Sequence, residues 1–287
     1  MLTGGLLGLK GTDALSSPGG ERPGARLGVL GWPVAHSLSP AIQNAALTAV
    51  GLGDWRYQLL PVPPELLAET VLALPGAGFL GVNVTIPHKQ AVLALADEAT
   101  DRASAIGAAN TLSFDAGRIV ADNTDAPALI AGLPFPAAGK TALVLGAGGS
   151  ARAAVWALRD AGAAEVRVWN RTHERAERLC AELGGTPVTI AAPADLLVHC
   201  TSSGLDASGS MLKSLPLDAD DLTGYSAVVD LVYSRRMDTP LVAAALERAI
   251  PVLDGHEILV LQGALSFERF TGRRAPIDVM RAAARGR

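Results

Sequence analysis

Residues 141–151 read TALVLGAGGSA, a short apolar run that ends in a glycine-rich turn, and a helical pattern, GSARAAVWALRDAG, starts inside that turn. No other segment restricts the fold as far. A strand buried between layers must pass directly into a helix that packs back onto it. Gly146 allows the tight turn, Gly148 lets main chain approach a pyrophosphate, and small Ala151 lets the helix lie close on the strand. Amides at the helix N-terminus then face negative charge, so the G-x-G-x-x-A pattern points to a dinucleotide.

Strand-like and helix-like segments alternate on both sides of this turn. Downstream come EVRVWN, the helical HERAERLCAEL, DLLVHCT, a long irregular loop, SAVVDLVY, the helical TPLVAAALERA, and PVLD. This succession predicts a Rossmann-type, doubly wound domain. Upstream, RLGVLG, a helix starting at Ser39-Pro40, WRYQLLPV, a helix from Pro64, GFLGVNVT and a helix after Pro87 predict a second α/β unit with a mostly parallel sheet. NTLSF and GRIVADNT read as two short antiparallel strands around the Asp115-Ala116-Gly117 turn, and a helix follows near Asp125. The Pro/Gly-rich loop LPFPAAGK marks a boundary. HEILVLQGALSFERF and PIDVMRAAA bring no strands of their own, so they are expected to return to the first unit. The expected division is a glycine-rich extension over 1–24, a first domain over 25–125 and 256–287, and a dinucleotide domain over 126–255.

A chain of 287 residues is long enough for two such domains around a cleft. Twenty-eight acidic against twenty-four basic residues, with no basic run, disfavour a nucleic-acid partner. No stretch reaches the roughly 20 apolar residues of a membrane span. Two cysteines, Cys180 and Cys200, without C-x-x-C spacing fit a reducing cytoplasm, and no basic n-region precedes the early leucines. The five histidines show no paired ligand spacing, so no metal is expected.

Several polar residues sit where structure alone does not require them. The strand EVRVW runs into Asn170-Arg171-Thr172, where a protein selective for NAD places an acid; here donors, with Arg175 a helical turn on, suit a 2′-phosphate. Asn83 and Thr85 share one face of a strand in which asparagine is a poor former, which suggests a ligand contact or a strand end satisfying itself. Lys89 is expected at a helix start, where the macrodipole disfavours a cation and makes its proton easier to lose. Asp125 reads as a helix N-cap, and Ser39 as another with Pro40 behind it, whereas Ser37 has no capping duty and could help to receive a carboxylate.

In this order the clusters resemble the shikimate dehydrogenase family, over about Arg26 to Arg274. H-S-x-S-P stands at His36 to Pro40, N-V-T-x-P-x-K at Asn83 to Lys89, A-I-G-A-x-N-T at Ala105 to Thr111, and N-T-D at Asn123 to Asp125. G-A-G-G-x-A-R-A follows at Gly146 to Ala153 and N-R-T at Asn170 to Thr172. Asp230-Leu231-Val232-Tyr233 with Thr239-Pro240-Leu241, and Gln262-Gly263 with Phe267 and Thr271-Gly272, complete the set.

The resemblance implies NADP-dependent reduction of 3-dehydroshikimate to shikimate, within the biosynthesis of chorismate and aromatic amino acids. Lys89 and Asp125 would be the catalytic pair. Ser37 and Ser39 would hold the substrate carboxylate, Asn83, Thr85, Asn110, Asp125 and Gln262 its hydroxyls, with Tyr233 near. Gly146, Gly148, Gly149, Ser150 and Ala151 would meet the pyrophosphate, Asn170, Arg171, Thr172 and Arg175 the adenosine phosphate, and Thr201, Ser202 and Gly255 the nicotinamide half. The partner is then a small molecule, and the chain a monomer or homodimer. Two alternatives stand beside this reading: a quinate/shikimate dehydrogenase of broader NAD(P) use, and a non-catalytic ligand-sensing homologue, which should lack Lys89 or Asp125.

Overall fold

The computed structural model describes residues 24–201, 214–234 and 238–286, and it builds two six-stranded sheets. The expected extension, apart from Gly24, lies outside the described residues, as does Ser202. The runs RLGVLG, RYQLLP and FLGVNV form β1 (Arg26–Gly31), β2 (Arg56–Pro61) and β3 (Phe79–Val84), with β1 parallel to both neighbours. β4 (Glu98–Ala99), β5 (Thr111–Asp115) and β6 (Arg118–Asp122) extend this sheet in the order β2-β1-β3-β5-β6-β4, and β5 runs antiparallel to β3 and β6. Ala116 and Gly117 have φ of 48° and 81°, the left-handed turn that joins β5 to β6.

The second sheet is parallel throughout. It contains β7 (Thr141–Leu145), β8 (Glu165–Trp169), β9 (Thr186–Val188), β10 (Ala194–His199), β11 (Tyr225–Asp230) and β12 (Val252–Leu253), in the order β12-β11-β10-β7-β8-β9. Strand order reverses between β7 and β10, the place where a doubly wound sheet opens a crevice at its carboxyl ends. Leu143, Val144, Leu145, Leu196, Leu197 and Val198 fill the central strands and are fully buried, as a sheet covered on both faces requires.

In chain order the helices are α1 (Ser39–Ala49), α2 (Leu67–Ala73), α3 (Asp101–Ile106), α4 (Asp125–Gly132), α5 (Gly149–Asp160), α6 (His173–Leu183), α7 (Pro240–Glu247), α8 (Gly255–Thr271) and α9 (Ile277–Ala284). The side chain of Asp254 caps α8 by accepting from Glu257 N, and Gly272, at φ 65°, ends it. α8 and α9 lie on the first sheet: Val260, Ala264, Phe267, Phe270 and Met280 share one core with Leu27, Val29, Ile42 and Ala46. Each such large side chain taken from water contributes about 1.5–3 kcal/mol.

Local readings of the sequence fail at three places. The segment after Pro87 is not an α-helix; it makes turns and then a short 3₁₀ stretch, Ala91–Leu95. Tertiary bonds fix the main chain and side chains there, since Ala109 N donates to Lys89 O at 2.7 Å and His88 Nε2 donates to Val62 O at 2.8 Å. Lys89 therefore stands at no helix start, and the macrodipole argument lapses. The N-cap of α1 is Leu38 rather than Ser39, and Ser39 N donates instead to Ser37 Oγ at 3.2 Å, so Ser37 does serve the helix start. At α4 the cap position falls to Thr124, while Asn123 Oδ1 accepts from Ala126 N at 3.2 Å and the Asp125 carboxylate turns elsewhere.

Candidate active site

The carboxyl ends of β3 and β10, the start of α4, the entry to α1 and the first two turns of α8 face one cleft of about 360 Å³. Ser37, Ser39, Asn83, Thr85, Lys89, Asn110, Asp125, Tyr233 and Gln262 all line it, and so do Ser150, Thr201 and Gly255. Residues as far apart in the chain as Ser37 and Gln262 thus converge, which is possible only because α8 returns across the first sheet.

At its centre Lys89 Nζ donates to Asp125 Oδ2 at 2.7 Å and to Ser150 Oγ at 2.9 Å. The two charged side chains are only 13% and 9% exposed, so their attraction is screened far less than that of a surface pair. Asp125 uses its second oxygen, Oδ1, to accept from Asn110 Nδ2 at 2.8 Å. Asn110 is itself fixed on the other side, since its Oδ1 accepts from Thr124 N at 2.7 Å. Gln262 Oε1 accepts from Asn110 Nδ2 at 3.3 Å, and Gln262 Nε2 donates to Leu259 O at 2.8 Å.

Asn83 is anchored by long-range partners. Its Oδ1 accepts from the Tyr57 hydroxyl at 2.8 Å, and its Nδ2 donates to Ser266 Oγ at 2.8 Å. Burial raises the Tyr57 phenol well above its ordinary range, and nearby Tyr233 adds to this while a hydrogen bond with Ser39 opposes it, so Tyr57 stays a neutral donor. Ser37 Oγ donates to Ser39 Oγ at 3.2 Å, and Leu38 N reaches the Tyr233 hydroxyl at 3.5 Å, which places two serines and a phenol together at the start of α1.

The carboxyl end of the second sheet supplies the other wall. Gly146, at φ +120°, turns the chain after β7 in a conformation that L side chains rarely adopt, and a Cβ there would lie 3.1 Å from the Cys200 carbonyl. Space beside Gly148 is open, and the first turn of α5 contains no acidic residue. Ala151 is fully buried against the sheet. At the end of β8, Asn170 Nδ2 donates to Thr172 O at 2.7 Å, while exposed Arg171 and Arg175 make no ion pair among the described residues. These features fit a phosphorylated dinucleotide: open main-chain amides without a competing acid, and two uncommitted guanidinium groups beyond the next strand. Thr201 is steadied from below by fully buried His199, whose Nε2 lies 2.6 Å from Thr201 Oγ1 and whose Nδ1 lies 2.8 Å from Asp230 Oδ1.

Sequence reasoning missed Tyr57, Ser266, Thr124 and His199, because each is tied to a residue from another part of the chain: Tyr57 and Ser266 to Asn83, Thr124 to Asn110, and His199 to Asp230. It also missed the apolar wall of Trp32, Pro33 and Ile86. Trp32 and Ile86 remain about half exposed at 46% and 44%, the one signal being large apolar residues on a loop.

A largely buried lysine–carboxylate pair in a cleft beside the switch point of a doubly wound sheet defines a two-domain, nicotinamide-dependent oxidoreductase. Residues 29–112 match the family model of the shikimate dehydrogenase substrate binding domain, 131–205 that of shikimate / quinate 5-dehydrogenase, and 255–285 that of the shikimate 5′-dehydrogenase C-terminal domain. The shikimate dehydrogenase (NADP(+)) of Paracoccus denitrificans is 46% identical over 88% of this chain and 92% of its own. That of Symbiobacterium thermophilum is 41% identical over 91% and 94%. The structure of shikimate 5-dehydrogenase from Thermus thermophilus in complex with NADP(H) and shikimate superposes with a TM-score of 0.81 at 40% identity, covering 91% of this chain and 99% of that one. The chain belongs to the shikimate dehydrogenase family.

Proposed function

We propose that the protein interconverts 3-dehydroshikimate and shikimate with NADP, and that Lys89 and Asp125 carry the proton. The observation that bears most weight is the Lys89–Asp125 contact at 2.7 Å inside a cleft rich in hydroxyl and amide groups. Such a lining suits a small polyol acid: Ser37 and Ser39 for the carboxylate, and Asn83, Thr85, Asn110, Asp125 and Gln262 for ring hydroxyls, with Tyr233 beside them.

The dinucleotide supplies or accepts hydride at the substrate's ring carbon. In the reducing direction the carbonyl oxygen gains negative charge as its carbon is reduced, and a donor within hydrogen-bond reach must stabilise that charge and deliver a proton. Lys89 does both. An ammonium has three N–H donors; Asp125 and Ser150 take two, and the third is available to the substrate oxygen. Asp125 keeps the ammonium in place and, held by Asn110, cannot rotate away. In the oxidising direction the alcohol proton returns to Lys89.

Gly146, Gly148, Gly149, Ser150 and Ala151 would form the pyrophosphate turn, Asn170, Arg171, Thr172 and Arg175 the adenosine phosphate pocket, and Thr201 and Gly255 the border of the nicotinamide half; Ser202 is assigned there by the family resemblance alone. On this reading 25–125 with 256–287 is the substrate domain, 126–255 the dinucleotide domain, and the chain works in the cytoplasm as a monomer or homodimer. Among the described residues no helix is long and apolar enough to cross a membrane.

The test is a two-by-two assay of purified protein, shikimate or quinate against NADP or NAD. Shikimate with NADP should give the highest kcat/KM. Equal turnover of quinate would make the enzyme a quinate/shikimate dehydrogenase, and no turnover of any pair would leave a ligand-binding homologue.

A further inference from the structure

The ammonium of Lys89 is held from both sides of the cleft. Asp125, at the start of α4, takes one N–H at 2.7 Å, and Ser150, in the first turn of α5 on the second sheet, takes another at 2.9 Å. The closeness extends down the lysine stem, since a Cβ on Gly149 would stand 2.6 Å from Lys89 Cβ and 3.2 Å from its Cδ. Phosphate binding does not explain this packing. Gly148 is the residue with open space beside it, whereas Gly149 faces the lysine.

With Asp125 as its one acceptor, an ammonium on a flexible four-carbon stem could swing about the carboxylate and rotate about its terminal bond. A second acceptor from another element removes both freedoms. The tetrahedral nitrogen then presents its third N–H in one direction.

We propose that Ser150 is a positioning residue that aims the third N–H of Lys89 at the reacting oxygen. Because the main chain of Ser150 belongs to the turn assigned to the dinucleotide's phosphates while its hydroxyl is committed to Lys89, the residue also ties the aim of the lysine to the seating of the cofactor. The proposal rests on Lys89 being the proton carrier. Only the side-chain hydroxyl is needed, so alanine removes the contact and threonine keeps it; alanine is also the better helix former, so the variant folds.

Full-length Ser150→Ala, Ser150→Thr and Lys89→Ala are compared with the parent for kcat, both Michaelis constants and the solvent deuterium isotope effect on kcat. Ser150→Ala should lower kcat on the order of 10-fold, the low end for a hydrogen bond to a charged group. Both Michaelis constants should stay within about twofold, and the isotope effect should rise because proton delivery becomes slower. Ser150→Thr should restore most of the rate. A raised NADP Michaelis constant with unchanged kcat would make Ser150 a phosphate contact and overturn the proposal. So would a loss of rate that threonine does not restore and that leaves the isotope effect unchanged, since that is a packing defect. If Lys89→Ala loses its rate while Ser150→Ala does not, this inference alone falls. If Lys89→Ala keeps its rate, the reading of Lys89 falls and takes this one with it.

Discussion

Asn110 Nδ2 donates to Asp125 Oδ1 at 2.8 Å, so the carboxylate meets Lys89 with its other oxygen and cannot turn without breaking one bond or the other. Asn110 is buried, and its own Oδ1 holds the main-chain amide of Thr124. Asn110→Ala would leave that amide without its partner, at a cost of about 1–3 kcal/mol. The variant should lose that much unfolding free energy, seen as a lower denaturant midpoint, and should also lose kcat. Unchanged stability with lost kcat would mean that water replaces the amide and that the residue serves substrate only.

Cofactor preference should follow from Arg171. It stands exposed after β8 with no ion pair among the described residues and no acid beside it. Removing one charged hydrogen bond costs about 1.5–3 kcal/mol, on the order of 10- to 150-fold in affinity. Arg171→Ala should raise the NADP Michaelis constant in that range while leaving NAD nearly untouched. Equal losses for both cofactors would place Arg171 on the part that they share.

Cys200 lines the cleft, yet its thiol should be a poor nucleophile. Burial raises it strongly; Lys89 pulls it down, while Asp230 and Asp125 push it further up. A raised thiol stays protonated through neutral and mildly alkaline pH, and the thiolate is the reactive form. Iodoacetamide at about pH 8 should label Cys200 at least about tenfold more slowly in the native protein than in guanidinium, read by mass spectrometry of the Cys200 peptide. Equal rates would show that the site is open to solvent. Burial also raises Cys180, so both native thiols should be protected.

Gly149→Ala tests the close passage of Lys89 across α5. The added methyl would stand 2.6 Å from Lys89 Cβ, an atom next to the main chain that cannot swing aside. Overpacking of this kind costs about 1–3 kcal/mol, and the displaced lysine should reduce kcat about tenfold or more. Normal kcat in Gly149→Ala would mean that the turn relaxes without moving Lys89.

Strand and helix alternation was legible from residue 26 onward because parallel strands buried on both faces read as short apolar runs, and RLGVLG, FLGVNV and TALVL all became strands. The G-x-G-x-x-A turn was legible for the same reason, since strand, turn and helix lie within eleven residues. Elements too short to show a period were not. α3 has six residues, yet Thr100 caps it by accepting from Ala103 N and Gly107, at φ 68°, ends it, so it was marked by its caps alone. β9 has three residues, with Pro187 at its centre, and occupies the sheet edge where proline is tolerated. The main chain around Lys89 misled, because a helix pattern after Pro87 was overridden by Ala109 and Val62, from other elements. In the cleft, residue types showed which side chains carry chemistry, but not which partner holds each. Tyr57 with Asn83, and Ser150 with Lys89, are separated by 26 and 61 positions, and no spacing rule joins them.

The central claim is that Lys89 and Asp125 move the proton as one unit, and steady-state kinetics of Lys89→Ala test it most directly. Positioned acid–base catalysis is worth roughly 10² to 10⁴ in rate, so kcat should fall by that order while the shikimate Michaelis constant changes far less, the serines, Asn83, Thr85 and Gln262 still holding the substrate. Asp125→Asn should lose rate too, and the double variant much less than the product of the two losses. A Lys89→Ala enzyme with near-normal kcat and a raised shikimate Michaelis constant would contradict the account, because Lys89 would then bind the substrate without carrying its proton.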